Sequence, residues 1–179
     1  MADALYFTAP RTVESRPVSV DAASGEVIVE TAASAISAGT ELLVYRDEAP
    51  DDLPVDETID AFDDSFEYPL RYGYAAAGRV VDTGSDVDDE WLDRQVFAFR
   101  PHQTRFAAAP NDLVVLPEGV SPAHGSLLPT VETATNLVLD SEPRLGERVV
   151  VFGAGVVGLC TIRLLSAFPL AELTVVEPL

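Results

Sequence analysis

Lysine is missing altogether, and the eleven basic residues are all arginines. Against them stand thirty acids, for a formal net charge of −19 at pH 7. A surface of that sign repels nucleic acid and anionic membranes, so neither is expected as a partner. Cysteine occurs once, as Cys160, which excludes an internal disulfide and any zinc site built from several cysteines. No apolar run is as long as a membrane span, and the first residues lack the basic-then-apolar order of a secretory signal. These absences describe a soluble chain expected in the cytoplasm.

The acidity has two readings, an acidic binding patch or a salt-adapted proteome. In molar salt the Debye length shrinks to about 3 Å, and a crowded acidic surface then costs little. The acids are scattered along the whole chain. That scatter, with the lack of lysine, favours a halophilic habitat over a binding role.

What is present centres on Arg148 to Glu177. Val149 to Phe152 is a short β-branched apolar run, the pattern of a strand buried on both faces. Gly153, Gly155 and Gly158 follow at G-x-G-x-x-G spacing, with Ala154, Val156 and Val157 between them. A helix-compatible apolar segment runs on to Pro169, and Leu173 to Val176 is a second buried-type strand. Each part suits a dinucleotide. Gly153 permits the turn, Gly155 lets a pyrophosphate approach the backbone, and Gly158 lets helix and strand pack closely. The helix N-terminus offers free amides and the positive end of its dipole. Glu177 lies about twenty residues beyond Gly158, where an acid accepts ribose hydroxyls and repels a 2′-phosphate, so NAD is expected over NADP. The competing reading is a glycine-rich turn in another α/β unit.

Earlier in the chain, strands are expected at Ala4 to Thr8, Val27 to Glu30, Arg71 to Thr83, Gln95 to Phe99, Arg105 to Ala108 and Leu113 to Leu116. Thr40 to Arg46 reads as a short helix that Thr40 could cap. Residues 47 to 67 are acid-rich and broken by Pro50 and Pro54, as in a long solvated loop. Pro122 to Asp140 is helix-like, with Pro129 starting, breaking or kinking it. Short strands with turns between them suggest an irregular β-barrel as first domain, ending near Ser121 to Pro129.

A β-rich domain feeding a glycine-rich crossover resembles the medium-chain dehydrogenase/reductase family, the alcohol dehydrogenase-like enzymes. The strings that carry the likeness run in order: Ala38 to Glu41 (A-G-T-E), Gly73 to Val80 (G-Y-A-A-A-G-R-V), Asp93 to Phe99 (D-R-Q-V-F-A-F), Leu116 to Val120 (L-P-E-G-V), then the glycine motif. They span nearly the whole chain. The resemblance implies a GroES-like catalytic domain over 1–122, in a mixed α+β and α/β fold. It implies the first, incomplete β-α-β unit of an NAD-binding Rossmann domain over 123–179. It also implies hydride transfer between a nicotinamide and an alcohol, carbonyl or activated alkene, on a small-molecule substrate.

The sequence departs from the zinc-using members. They carry cysteine where Ala38 stands and a G-H-E string where Gly73-Tyr74-Ala75 stands, and they have a four-cysteine lobe. Glu132 falls where polyol-type relatives place an acid beside the metal, and one carboxylate does not make a zinc site. No zinc is expected. Thr40 matches the relay hydroxyl of the family, Tyr74 occupies the lost histidine position, and His102 is of the residue type used most often for general acid–base chemistry. These are the catalytic candidates. Each has a plainer alternative: Thr40 as a helix cap, Tyr74 as filler, His102 and His124 as surface turn residues.

Two parallel strands are fewer than the roughly six of a complete dinucleotide-binding sheet. Three expectations follow: a fragment of a longer enzyme, a split-enzyme half completed by a C-terminal chain, or an inactive remnant that binds a partner or adenine-containing ligands. The uncovered strand edge and helix face also make a homo-oligomer an expected partner state. Lacking the nicotinamide half of the sheet, the isolated chain should give no NAD-dependent turnover. Robust hydride transfer by this polypeptide alone, followed at the NADH absorbance band, would overturn that expectation.

Overall fold

A computed structural model describes residues 1–49 and 67–178. The acid-rich loop expected over 47 to 67 lies almost wholly outside the described residues. The described chain divides into two units, Met1–Ser126 and Leu127–Leu179. That division falls four residues after the position 122 expected from sequence.

The first unit is antiparallel. Strand β1 (Ala2–Ala9) pairs with β2 (Thr12–Val18) across a turn in which Arg11 takes a left-handed φ of 59°. β2 was not expected. Its sequence T-V-E-S-R-P-V presents no buried face, so no alternation marks it. Backbone pairing to β1 makes it a strand.

The second sheet has five strands. They are β3 (Val27–Ser34), β4 (Ala76–Thr83), β5 (Gln95–Ala98), β6 (Arg105–Ala108) and β7 (Val114–Val115), in the order β6-β3-β4-β5-β7. Val27, Val29, Val80 and Val96 are completely buried on one face of it. Each such side chain contributes about 1.5–3 kcal/mol of burial free energy, which makes this face the anchor of the unit. β3 runs four residues past its expected end, through Thr31-Ala32-Ala33-Ser34. These residues have little strand preference of their own and are held by pairing to Ala76–Gly78 of β4. A Cβ at Gly78 would lie 2.0 Å from the Glu30 carbonyl oxygen, so that pairing requires a glycine.

The two sheets are joined by backbone bonds from β1. The Leu5 amide donates to the His102 carbonyl at 2.9 Å, and the Phe7 amide to the Leu70 carbonyl at 2.9 Å. Phe7, Leu70, Tyr72 and Val44 form a second apolar cluster there. Val44 belongs to α1 (Glu41–Arg46). Thr40 does not cap this helix with its side chain. Its backbone is already helical at φ −88°, ψ −51°. The unit ends in α2 (Pro122–Gly125), capped by the Ser121 hydroxyl accepting from the His124 amide.

The second unit begins with α3 (Leu128–Ser141). The long helix expected from Pro122 is therefore two helices. Pro129 sits in the first turn of α3, where a missing N–H costs nothing. β8 (Arg148–Phe152), α4 (Val156–Leu165) and β9 (Glu172–Val176) follow as strand, helix, strand, with β8 and β9 parallel and in register from Arg148↔Glu172 to Phe152↔Val176. α3 packs against α4. The expected two-sided burial of these strands is not found. Val150 is 50% exposed and Phe152 80%. No helix among the described residues is long and apolar enough to cross a membrane.

Tyr68 packs at the edge of the Phe7 cluster and donates its hydroxyl to the Val44 carbonyl. Burial pushes its pKa above the ordinary tyrosine value of 10, the Asp47 charge adds to the rise, and a backbone hydrogen bond at Asp47 opposes it. The fold thus holds this proton more tightly than the unfolded chain does. The resulting stability is complete below pH 10 and is lost as pH rises through the folded value. Urea midpoints measured across that range should fall with rising pH, and Tyr68→Phe should flatten the fall.

Candidate functional site

The mouth of the β8–α4 crossover is built from the three glycines. Gly153 adopts φ +93°, a conformation that side chains resist, and turns the chain out of β8. Gly155 is the N-cap of α4, with no side chain capping it. The amides of Val156, Val157 and Gly158 open the helix and have no intrahelical acceptors. A Cβ at Gly155 would meet no atom within 4 Å, so the space before the mouth is clear. A Cβ at Gly158 would sit 2.2 Å from the Gly153 carbonyl oxygen. Here the helix and strand backbones nearly touch. The amide of Ala154 donates to the Glu177 carboxylate, and that of Gly153 to the Val176 carbonyl at 2.8 Å. The acid beyond β9 therefore points into the mouth.

These residues fit a nicotinamide dinucleotide. There is an open approach at Gly155, a helix N-terminus of ten residues behind it, and a carboxylate at the rim. Cys160 and Arg163 lie further along α4, and Arg163 donates to the Ser166 hydroxyl at 3.3 Å. Glu132 lies on α3 and accepts from the Asn136 side chain at 2.9 Å.

In the first unit the structure brings Thr40 and Tyr74 together. The Tyr74 hydroxyl donates to Thr40 Oγ1 at 3.4 Å. Tyr72 meets the Tyr74 ring edge-on, with centroids 6.4 Å apart. The Thr40 amide donates to the Ser37 hydroxyl at 3.3 Å. Ala38 and Ala75 carry no metal donor, and the Tyr74 hydroxyl is turned to Thr40. Among the described residues no three His, Cys, Asp or Glu side chains are placed to hold a metal ion.

His102 is not a surface turn residue. It is 8% exposed, with both ring nitrogens engaged. Nε2 lies 2.7 Å from Glu41 Oε2, and Nδ1 lies 2.8 Å from Ser34 Oγ. Glu41 is 2% exposed, and its other oxygen accepts from the Ser37 amide at 2.9 Å. Sequence reasoning missed Glu41 and Ser34. Glu41 has the ordinary look of a first-turn helix acid. Its partner is sixty-one residues away, beyond any local spacing rule. His124 is exposed and lies 3.1 Å from the Ser121 hydroxyl.

The chain has the fold of the medium-chain dehydrogenases and reductases. The CurF ER cyclopropanase of the curacin A biosynthetic pathway matches with a TM-score of 0.82 and 21% identity, over 99% of this chain and 55% of that one. The 2R,3R-butanediol dehydrogenase of Bacillus subtilis matches at 0.78 and 19% identity, over 99% of this chain and 63% of that one. A putative zinc-binding dehydrogenase of Sinorhizobium meliloti, bound to NADP, matches at 0.76 and 17% identity, over 98% and 56%. The chain thus spans just over half to under two thirds of the length of these neighbours. No protein-family model and no curated protein sequence matches it.

The Gly158 contact gives a direct test. Gly158→Ala forces a methyl against a carbonyl that cannot yield without moving β8. Overpacking of this kind costs about 1–3 kcal/mol. Gly155→Ala, with open space before it, should leave stability within about 1 kcal/mol, the usual helix-end cost. Thermal or urea melts of the two variants check the difference.

Proposed function

We propose that the chain is the N-terminal part of a zinc-independent, NAD-preferring oxidoreductase, one that passes hydride between the nicotinamide and an alcohol, carbonyl or activated alkene. The observation that carries the reading is the Glu177 carboxylate aimed into a glycine-built amide mouth. On this reading β8, α4 and β9 are the first β-α-β unit of a Rossmann fold, and the antiparallel unit is a GroES-like catalytic domain. The fold shared with dehydrogenases and reductases supports both assignments.

The bound nicotinamide dinucleotide would supply or accept the hydride. The chain's own residues do the rest. The Val156, Val157 and Gly158 amides hold the pyrophosphate with the α4 dipole behind them. Glu177 accepts from the ribose hydroxyls and disfavours a 2′-phosphate at the same spot. Thr40 and Tyr74 form the hydroxyl pair that meets the substrate oxygen. With its own proton turned to Thr40 Oγ1, Tyr74 leaves the Thr40 proton available to that oxygen. A hydroxyl pair stabilises a developing oxyanion less than a metal ion does. A conjugated acceptor, which spreads the charge, therefore suits the site better than an isolated ketone.

Zinc independence is supported by the donor set at Ala38, Tyr74 and Ala75. The exposed Val150 and Phe152 side chains support further strands or a partner chain covering β8. The arginine-only basic set and scattered acids support a salt-rich cytoplasm.

Titration with NADH and NADPH, read by nicotinamide fluorescence, tests the reading. NADH should bind at least about tenfold more tightly, equivalent to about 1.4 kcal/mol. Glu177→Ala should narrow the gap by weakening NADH and admitting NADPH. Equal affinities in the unsubstituted chain, or binding of neither, overturns the cofactor assignment. One tightly held zinc per chain after purification overturns the metal assignment.

A further inference from the structure

The Ser34–His102–Glu41 array, buried at His102 and Glu41 and reaching the surface at Ser34, occupies a place that neither a core nor a surface histidine explains. Its three residues come from the end of β3, the start of α1 and the segment before β6. Glu41 follows Thr40 directly. The His102 ring lies against Gly73, which directly precedes Tyr74. A Cβ at Gly73 would fall 2.7 Å from His102 Nε2 and 2.8 Å from Cδ2. Gly73 also holds φ +125°, a conformation that only glycine adopts with ease. One imidazole thus touches the neighbours of both hydroxyl residues.

The array is fixed from behind. The His102 carbonyl accepts from the Leu5 amide, and the Asp3 carbonyl accepts from the Thr104 amide at 2.8 Å, tying this segment to β1. Glu41 closes the 37–41 turn in both directions. Its carboxylate accepts from the Ser37 amide, and its own amide donates to the Ser37 carbonyl at 3.0 Å. With the imidazole protonated at Nε2, the Glu41 carboxylate accepts from it and Ser34 donates to Nδ1, so every polar atom of the array is satisfied.

We propose that His102 is a positioning residue: through its hydrogen bond to Glu41 and its contact with Gly73, it sets the distance between the Thr40 and Tyr74 hydroxyls. His102 itself touches neither substrate nor cofactor. The assignment rests on the reading of Thr40 and Tyr74 as the substrate-facing pair. Its geometric content is nevertheless independent of dinucleotide binding.

The test uses the whole chain with isotope-labelled tyrosine and threonine. The Tyr74 ring signal is assigned by its loss in Tyr74→Phe, and the Thr40 methyl by its loss in Thr40→Ser. The readout is the nuclear Overhauser cross-peak between the Tyr74 ring and the Thr40 methyl. His102→Ala should abolish the cross-peak and shift the Tyr74 signal, while Tyr6, Tyr45 and Tyr68 keep theirs. His102→Gln, whose side-chain amide can still donate to Glu41, should restore the cross-peak. An unchanged cross-peak in His102→Ala, or no restoration by His102→Gln, overturns the proposal. If His102→Ala moves all the tyrosines together, Glu41→Leu, which keeps the volume and removes the hydrogen bond, decides. Loss of the cross-peak in that variant supports the proposal, and its persistence overturns it. A chain that fails to bind NADH yet gives these signals would sink the cofactor reading and leave His102 in its place.

Discussion

The approach of Gly158 to the Gly153 carbonyl is the constraint on which the second unit depends. A helix leaving a parallel strand must turn back over it within a few residues. Here the two backbones come so close that a Cβ would lie 2.2 Å from a carbonyl oxygen. That closeness sets the angle of α4 and leaves its first amides facing outward from the end of β8. The parallel register then carries β9 alongside β8, so the residue just past its end, Glu177, arrives at the same mouth. Three features of the mouth thus follow from one steric fact: the turn, the exposed amides and the acid at the rim.

The first unit is governed by pairing rather than by side-chain pattern. β3 is bonded on both sides, to β4 and β6, and its valines fill the core. Beyond Glu30 the same strand continues with small residues, and the chain from Ser34 to Glu41 stays close to the Ala75 end of β4. Small side chains there leave room for a buried imidazole and carboxylate. A buried ionisable pair is a doubtful source of net stability, because desolvation offsets much of the attraction. What it supplies is directionality. Each oxygen and nitrogen has one partner, so the turn holding Thr40 has one arrangement.

Much of this was legible in the chain. The glycine spacing, the β-branched runs flanking it and the distance to Glu177 encode local geometry, and local geometry is what periodicity records. Strands β3 to β7 were visible for the same reason, β6 at both ends, β3, β4 and β5 at one end, and β7 at neither. β2 was invisible because a strand with two exposed faces has no alternation to read. Residues 31–34 were invisible as strand because their partner in β4 decides their conformation. In the candidate site, Thr40 and Tyr74 were found by resemblance and are brought within hydrogen-bond range, while Glu41 and Ser34 were not found. Their role depends on a histidine sixty-one and sixty-eight positions away, which no window on the sequence spans. The continuous apolar patterns of β8 and β9 promised burial on both faces, and the exposed Val150 and Phe152 show that such a pattern records what a strand can bury, not what covers it.

The substitutions around Ala38 and Tyr74 then have a joint physical meaning. A metal site needs deprotonated or neutral ligands converging with fixed geometry, and its second-shell groups orient those ligands. Alanine at 38 and 75 and tyrosine at 74 offer no such convergence, and a carboxylate stands one residue past Thr40. An unpaired buried carboxylate would cost several kcal/mol. In this chain that carboxylate is not left unpaired: His102 meets it from another segment, and the glycine before Tyr74 makes room for the ring. Beside this pair stand two neutral hydroxyls, those of Tyr74 and Thr40, 3.4 Å apart. Such a pair can orient an oxygen and share a proton, but it adds no fixed positive charge. Under the proposed function, such a pair suits a substrate whose own conjugation carries much of the negative charge.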